Sequence, residues 1–306
     1  MIKKIKTDGI VLALVASIIS GIAIFYAKIS LVKIEPLILT TGRNLTAGLL
    51  LAIAFGLSAN RQEIRKLNKQ QLINLILVAF IGGALPFYLF FSGLQFVKAP
   101  VANLIHKTLF IWVSVLASIF LKERLNIKYW ISFGLIFLAN FYFARIPLNP
   151  GKGEMMILVA TILWSTENIL AKKALTALPS EMVGFFRMGV GSILLSTAVL
   201  FNGKGAKFLT LSYEQLTVII IGGLILFLYV YFWYKALKYA PASLATLILS
   251  FSVLVGNILN NSFAGVRLFP NDIFSLTLIS LAVLLIFAGP GFRPHRLKFD
   301  GKTNKK

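Results

Sequence analysis

The feature that most constrains this chain is a series of long apolar stretches separated by short connections that carry charge or proline. Ten stretches cover residues 9–31, 36–57, 72–96, 99–121, 128–146, 153–175, 180–201, 214–236, 241–263 and 271–290. Each approaches the roughly 20 apolar residues a helix needs to cross a hydrocarbon core of about 30 Å. Lipid offers a peptide group no hydrogen bond, so such a segment crosses as helix, closing its backbone bonds within itself. Glu35-Pro36, Arg61 to Lys69, Lys122-Glu123-Arg124, Pro147 to Lys152, Asn202 to Lys207 and Phe269-Pro270-Asn271-Asp272 mark connections. The turns after the third and eighth spans are the shortest. The expected fold is all-α and polytopic, with ten transmembrane helices. Composition agrees, since 58% of residues are hydrophobic and 13% charged, against roughly a quarter charged in soluble domains.

The formal charge of +21, from 31 Lys+Arg against 10 Asp+Glu, would point to nucleic acid in a soluble protein. Here the cations fall between apolar runs, so anionic lipid is the expected partner and nucleic acid is not. With the N-terminus inside, 20 cations lie on the inner side and eight on the outer, with Arg43, Lys107 and Arg187 left within spans. That bias places both termini in the cytoplasm of a cell-membrane protein. The lysine-rich start resembles a signal peptide, but its apolar run is long and has no clear small-residue cleavage site, so it reads as the first span. No cysteine is present, which removes disulfides, thiolate metal sites and cysteine nucleophiles.

The chain repeats itself. At an offset of 143, Leu94 to Leu125 aligns with Leu237 to Leu268 without a gap, and nine positions are identical, among them Ala99/Ala242, Ala102/Ala245, Phe120/Phe263 and Arg124/Arg267. An offset of 144 pairs Ala27-Lys28 with Ala171-Lys172 and Arg43 with Arg187. Shared apolar composition accounts for some matches, but not for one register held over a half-chain that includes charged residues. Residues 1–150 and 151–306 are then two five-helix repeats. Duplication of an odd number of spans inverts the second copy, a geometry that lets two bundles rock around a site near the midplane.

Tyr88 to Leu125, YLFFSGLQFVKAPVANLIHKTLFIWVSVLASIFLKERL, and Tyr231 to Leu268, YFWYKALKYAPASLATLILSFSVLVGNILNNSFAGVRL, resemble the third-to-fourth and eighth-to-ninth helices of the drug/metabolite transporter superfamily, in its EamA-like branch. The resemblance covers nearly the whole chain. It implies ten spans, no ATP site, and a central cavity lined mainly by the third, fourth, eighth and ninth helices. Two departures stand out: Val266-Arg267 replaces a second Glu-Arg, so the acidic helix end is expected only at Glu123, and no proline interrupts the fourth or ninth helix.

Polar residues inside the spans are the candidate site. Asn103, Lys107, Ser114 and Ser118 in the fourth span match Thr246, Ser250, Asn257 and Asn261 in the ninth, at spacings that put each set on one helical face. Such stripes either line a cavity or join helices. Lys107 favours the cavity, because an ammonium roughly 12 Å deep costs at least about 2.5 kcal/mol in hydrocarbon. His106 points about 100° away from Lys107, and is either a packed imidazole or a proton relay. Glu167 and Arg187 reach the same depth and are expected to pair, structurally or for ion coupling. Arg43, the counterpart of Arg187, has Ala23 where Glu167 stands, and is expected to face the cavity. Tyr88, Phe90, Phe91, Tyr229, Tyr231, Phe232, Trp233 and Tyr234 crowd the third and eighth spans, where Tyr88 and Tyr231 are candidates to stack on a flat solute.

Enzyme chemistry lacks its residues: the acids are scattered, with no Asp-rich metal pair, no His-Glu-x-x-His and no phosphate-binding loop. A membrane enzyme and a non-transporting scaffold are the alternatives to the favoured reading, a secondary transporter of a small polar metabolite. Three deep cations against one deep carboxylate favour an anionic solute. No cofactor or metal is expected, and monomer and homodimer are equally open.

Overall fold

A computed structural model gives the fold, and describes residues 2–97, 99–123, 127–144, 150–263 and the separate positions 274, 277, 278, 281, 282 and 285. The described elements are helical. In the first repeat the main ones are α1 (Ile2–Ser30), α2 (Pro36–Gly56), α3 (Lys69–Gly93), α4 (Ala99–Lys107), α5 (Leu109–Phe120) and α6 (Ile127–Ala144), with a short 3-10 helix at Arg61–Lys66. The second has α7 (Lys152–Ala174), α8 (Ser180–Phe201), α9 (Tyr213–Tyr239), α10 (Ala242–Leu249) and α11 (Ser252–Phe263). Six of these, α1 to α3 and α7 to α9, are long and apolar enough to cross a membrane, with shorter apolar helices at Leu104–Phe120, Ile127–Ala139 and Ala242–Gly256. Among the described residues helix runs through nine of the ten expected spans, and in the tenth, 271–290, only the six separate positions from 274 to 285 are described, each of them helical.

The helix boundaries repeat as the residues do. α1 ends at Ser30 and α2 begins at Pro36, while α7 ends at Ala174 and α8 begins at Ser180, both 144 later. The starts of α3 and α9 are alike in chemistry as well as position. Asn68 and Ser212 each accept the backbone N–H three residues on, at 2.8 and 3.2 Å, and Gln71 and Gln215 each reach back to the cap's N–H, a reciprocal arrangement that satisfies two otherwise orphaned donors.

The fourth and ninth spans are each interrupted once, between α4 and α5 and between α10 and α11. The chain tightens at Thr108, whose N–H bonds to the Ile105 carbonyl at 3.1 Å, and again at Phe251, whose N–H bonds to that of Ile248 at 3.1 Å. The two breaks lie 143 residues apart. No proline causes them; three-residue hydrogen bonds replace four-residue ones over a single turn.

The two copies run in opposite directions along α9. Gly9, near the start of α1, abuts the backbone at Tyr239 and Ala240, where a Cβ would come within 2.8 Å, and Lys33, just past its end, pairs with Glu214 in the first turn of α9. In contrast, Lys172 near the end of α7 donates to the Leu237 and Ala240 carbonyls, at 2.5 and 2.7 Å, at the far end of α9. The outward faces carry exposed Leu49, Ile53, Ile119, Ile193, Leu200 and Ile220, a surface suited to lipid as its solvent.

Two wider, π-helical turns, Ala79–Ala84 in α3 and Phe186–Val190 in α8, pack against each other. Glycine permits the approach. A Cβ on Gly83 would lie 1.8 Å from the Arg187 carbonyl oxygen, and one on Gly191 would lie 2.7 Å from the Gly83 carbonyl carbon. Such turns interrupt the regular ladder, and here side chains of neighbouring helices bond to two carbonyls of the α3 turn: Trp164 Nε1 donates to Gly82 at 3.0 Å and Asn44 Nδ2 to Gly83 at 2.8 Å.

Candidate functional site

Between the repeats lies a cavity of about 730 Å³, its mouth included. Its walls come from α1 (Ser20, Ala23, Ile24, Ala27), α2 (Arg43), α3 and the residue after it (Phe87, Phe90, Phe91, Leu94), α4 and α5 (His106, Leu109), α7 (Trp164, Asn168), α8 (Arg187) and α9 (Leu226, Tyr229, Trp233). Four pairs of wall residues are repeat equivalents: Ser20/Trp164, Ile24/Asn168 and Arg43/Arg187 at 144, and Phe90/Trp233 at 143. The cavity therefore lies where matching positions of the two copies converge.

Its polar side is built around the two arginines. Arg187 and Glu167 are buried, with Arg187 Nη2 3.8 Å from Glu167 Oε2, so the expected pair is present as an ion pair without a close hydrogen bond. Glu167 Oε1 accepts from the Tyr234 hydroxyl at 2.5 Å. Gly82 makes room for the carboxylate, since a Cβ there would lie 2.2 Å from Glu167 Cγ. The Arg187 guanidinium also sits over the rings of Phe87 and Tyr234, at 5.8 and 5.7 Å from their centroids, favourable positions for a cation.

Arg43 is as deeply buried, 3% exposed, but no described carboxylate pairs with it, and its Nε and Nη1 have no hydrogen-bond partner among the described residues. Its guanidinium carbon lies 5.5 Å from the Phe91 ring centroid. An unpaired guanidinium is expensive to bury.

The apolar side is an aromatic wall. His106 makes edge contacts with Phe90 and Trp164, at centroid distances of 5.3 and 5.1 Å, and Phe87 meets Trp164 edge-on at 5.2 Å. Asn168 is fixed in place: Trp233 Nε1 donates to its Oδ1 at 3.1 Å, and its Nδ2 donates to the Trp164 carbonyl at 2.8 Å.

Of the residues singled out from sequence, Arg43, Arg187, His106 and the aromatics Phe90, Phe91, Tyr229 and Trp233 line this cavity, and Glu167 stands behind Arg187. The described members of the polar stripes are not among its wall residues. Lys107 is buried but donates to Ser252 Oγ at 2.5 Å, joining α4 to α11. Thr246 and Ser250 are buried and turn back to carbonyls of their own helix, at 2.9 Å to Ala242 and 3.2 Å to Thr246, the usual resting place for a hydroxyl inside a helix. Ser114 is buried, its hydroxyl without a hydrogen-bond partner among the described residues, and Ser118 bonds the Val115 carbonyl at 2.8 Å. Tyr88 is exposed on the outer surface, and Tyr231 accepts from Lys235 Nζ at 2.5 Å. The side chains of Asn103, Asn257 and Asn261 lie outside the described residues. α10, the first part of the ninth span, supplies no wall, whereas α1, α2, α7 and α8 do. Trp164, Asn168 and Phe87 went unnoticed in the sequence. The run Ser165-Thr166-Glu167-Asn168 in the middle of a span is the signal that could have pointed to α7.

Polar latches join the repeats at both ends of α9. At its start, Glu35 pairs with Lys204 and, at 3.3 Å, with Lys207, beside the Lys33–Glu214 pair. At its far end, Glu123 accepts from the N–H groups of Ala242 and Ser243 at 2.8 and 3.1 Å and from Ser243 Oγ at 2.5 Å. The one acidic helix end expected from sequence thus caps a helix of the other repeat.

A protein of known crystal structure, described as "Crystal structure of protein", superposes with a TM-score of 0.72 at 15% identity, covering 92% of this chain and 96% of that one, a likeness of fold alone. No curated protein matches the chain. The EamA-like transporter family matches twice, over residues 7–144 and 151–288, in register with the two copies seen in the helix boundaries. The chain belongs to the EamA-like transporter family.

Proposed function

We propose that this membrane transporter moves a small organic anion through the cavity between its repeats by alternating access, without an ATP site of its own. The observation that carries the reading is the buried guanidinium of Arg43, without a carboxylate partner among the described residues, on the wall of a cavity to which both repeats contribute equivalent positions. A solute bound there meets one charged fixing point and several aromatic faces, the usual make-up of a small-molecule site. Two copies running in opposite directions supply a rocking motion that exposes such a site to each side in turn. In this reading the protein sits in the cell membrane with both termini in the cytoplasm, and its inner cations meet anionic headgroups. The gradient sets the direction of transport.

Counterflow in proteoliposomes tests the reading. A thermal-shift screen of carboxylates, organic phosphates and amino acids first selects solutes that bind the folded form. Uptake of a labelled hit should saturate and should accelerate when the same unlabelled solute is loaded inside. Uptake linear in concentration would indicate a channel, and no uptake a scaffold.

A further inference from the structure

Three equivalent positions differ between the repeats in a coordinated way. In the second, Glu167, Arg187 and Tyr234 form a closed set: the carboxylate faces the guanidinium at 3.8 Å, accepts the tyrosine hydroxyl at 2.5 Å, and the same ring lies 5.7 Å beneath the arginine. The first-repeat counterparts, at offsets of 144, 144 and 143, are Ala23, Arg43 and Phe91. The arginine keeps its setting. Its guanidinium lies 5.5 Å from the Phe91 centroid, much as Arg187 lies over Tyr234. Each arginine also packs against a glycine of the opposite repeat: a Cβ on Gly222 would lie 3.0 Å from Arg43 Nε, and one on Gly82 would lie 3.2 Å from Arg187 Nε. What the first repeat lacks is the carboxylate and the hydroxyl that holds it. Ala23, Arg43 and Phe91 all border the cavity.

We propose that the anionic group of the transported solute docks on Arg43 over Ala23, in the place within the first repeat that the Glu167 carboxylate fills in the second. The solute class that follows is an aromatic or otherwise flat carboxylate, with its acid on Arg43 and its ring against the Phe90–Trp164 side of the cavity. This placement rests on the transporter reading. It adds that the second repeat carries a built-in copy of the bound state: one arginine neutralised by the chain, the other left for the solute.

The test restores the missing groups. The probes are 3-phenylpropionate and its neutral amide, read by the melting temperature of the purified full-length protein across a concentration series. The parent should bind the carboxylate more tightly than the amide by about tenfold or more, as expected for hydrogen bonds to a charged group. In the Ala23→Glu/Phe91→Tyr variant the new carboxylate pairs with Arg43. This variant should melt no lower than the parent without probe, and should lose the preference for the acid while still binding the amide. Arg43→Gln should lose the preference independently. A parent that binds both probes alike overturns the placement, as does a rebuilt variant that still prefers the acid. Counterflow of the amide in proteoliposomes separates the two claims: saturable amide counterflow with no acid preference removes the anion site but leaves the transporter standing.

Discussion

A buried carboxylate and guanidinium 3.8 Å apart, with one carboxylate oxygen and two guanidinium nitrogens lacking hydrogen-bond partners among the described residues, make a pair whose worth lies mostly in avoiding a lone charge. Removing either partner leaves the other uncompensated, at about 3–5 kcal/mol, while replacing both with apolar residues is often neutral. Glu167→Leu and Arg187→Leu should each lower the melting temperature strongly, and the double variant should recover much of the loss. A loss in the double variant equal to the sum of the two single losses would show that the two groups do not interact. Single residues were legible where charge decides. A deep arginine has few ways to be stabilised, so the sequence placed Glu167 beside Arg187 and left Arg43 open to the cavity. Lys107 was not legible in the same way. Its stripe shows that one face of the helix is polar, but packing fixes which neighbour that face meets, and Ser252 on α11 meets it. Thr246 and Ser250 escaped for a related reason, because a hydroxyl can close on its own helix and needs no cavity.

At the scale of elements, apolar length and end signals defined the helices well. α2, α5, α7 and α8 begin or end within a residue or two of the expected limits, because proline, charge and capping residues act locally. The turns inside spans were illegible, since the breaks at Thr108 and Phe251 and the π-helical turns answer to close packing that no local residue announces. The latches joining the elements are open to test. Glu123 caps α10 with three charge-assisted bonds, so Glu123→Gln should lose about 1 kcal/mol, as for a removed cap with its helix-dipole term. Unchanged denaturation would show that the cap carries no stability. At the other end, the hydrogen bond from Lys204 is the largest of the effects holding the Glu35 carboxyl below its ordinary 4.5. A depressed carboxyl contributes stability above its unfolded value and loses it as pH falls through the folded one. The Glu35 contribution should therefore be intact at pH 7 and disappear on acidification below 4.5. Melting temperature against pH should fall less steeply there in Glu35→Gln than in the parent, and identical acid limbs would rule the latch out.

The whole molecule is a duplicated chain whose copies run oppositely along α9 and meet at a cavity with arginines at matching positions. Duplication was legible because offsets of 143 and 144 recur in residues far apart in sequence, and they recur again in helix ends and breaks. The partners of the cavity wall were not, since α1, α2, α7 and α8 enter it through tertiary packing that periodicity does not encode. The central claim is that this cavity opens to each side of the membrane in turn. The chain has no cysteine, so a thiol introduced by Ser20→Cys on the cavity wall reports its own accessibility without background. Membrane-impermeant thiol reagents applied separately from each face of oriented vesicles should both label it, and a saturating bound solute should slow both reactions. Labelling from one face alone, with or without solute, would contradict alternating access through this cavity.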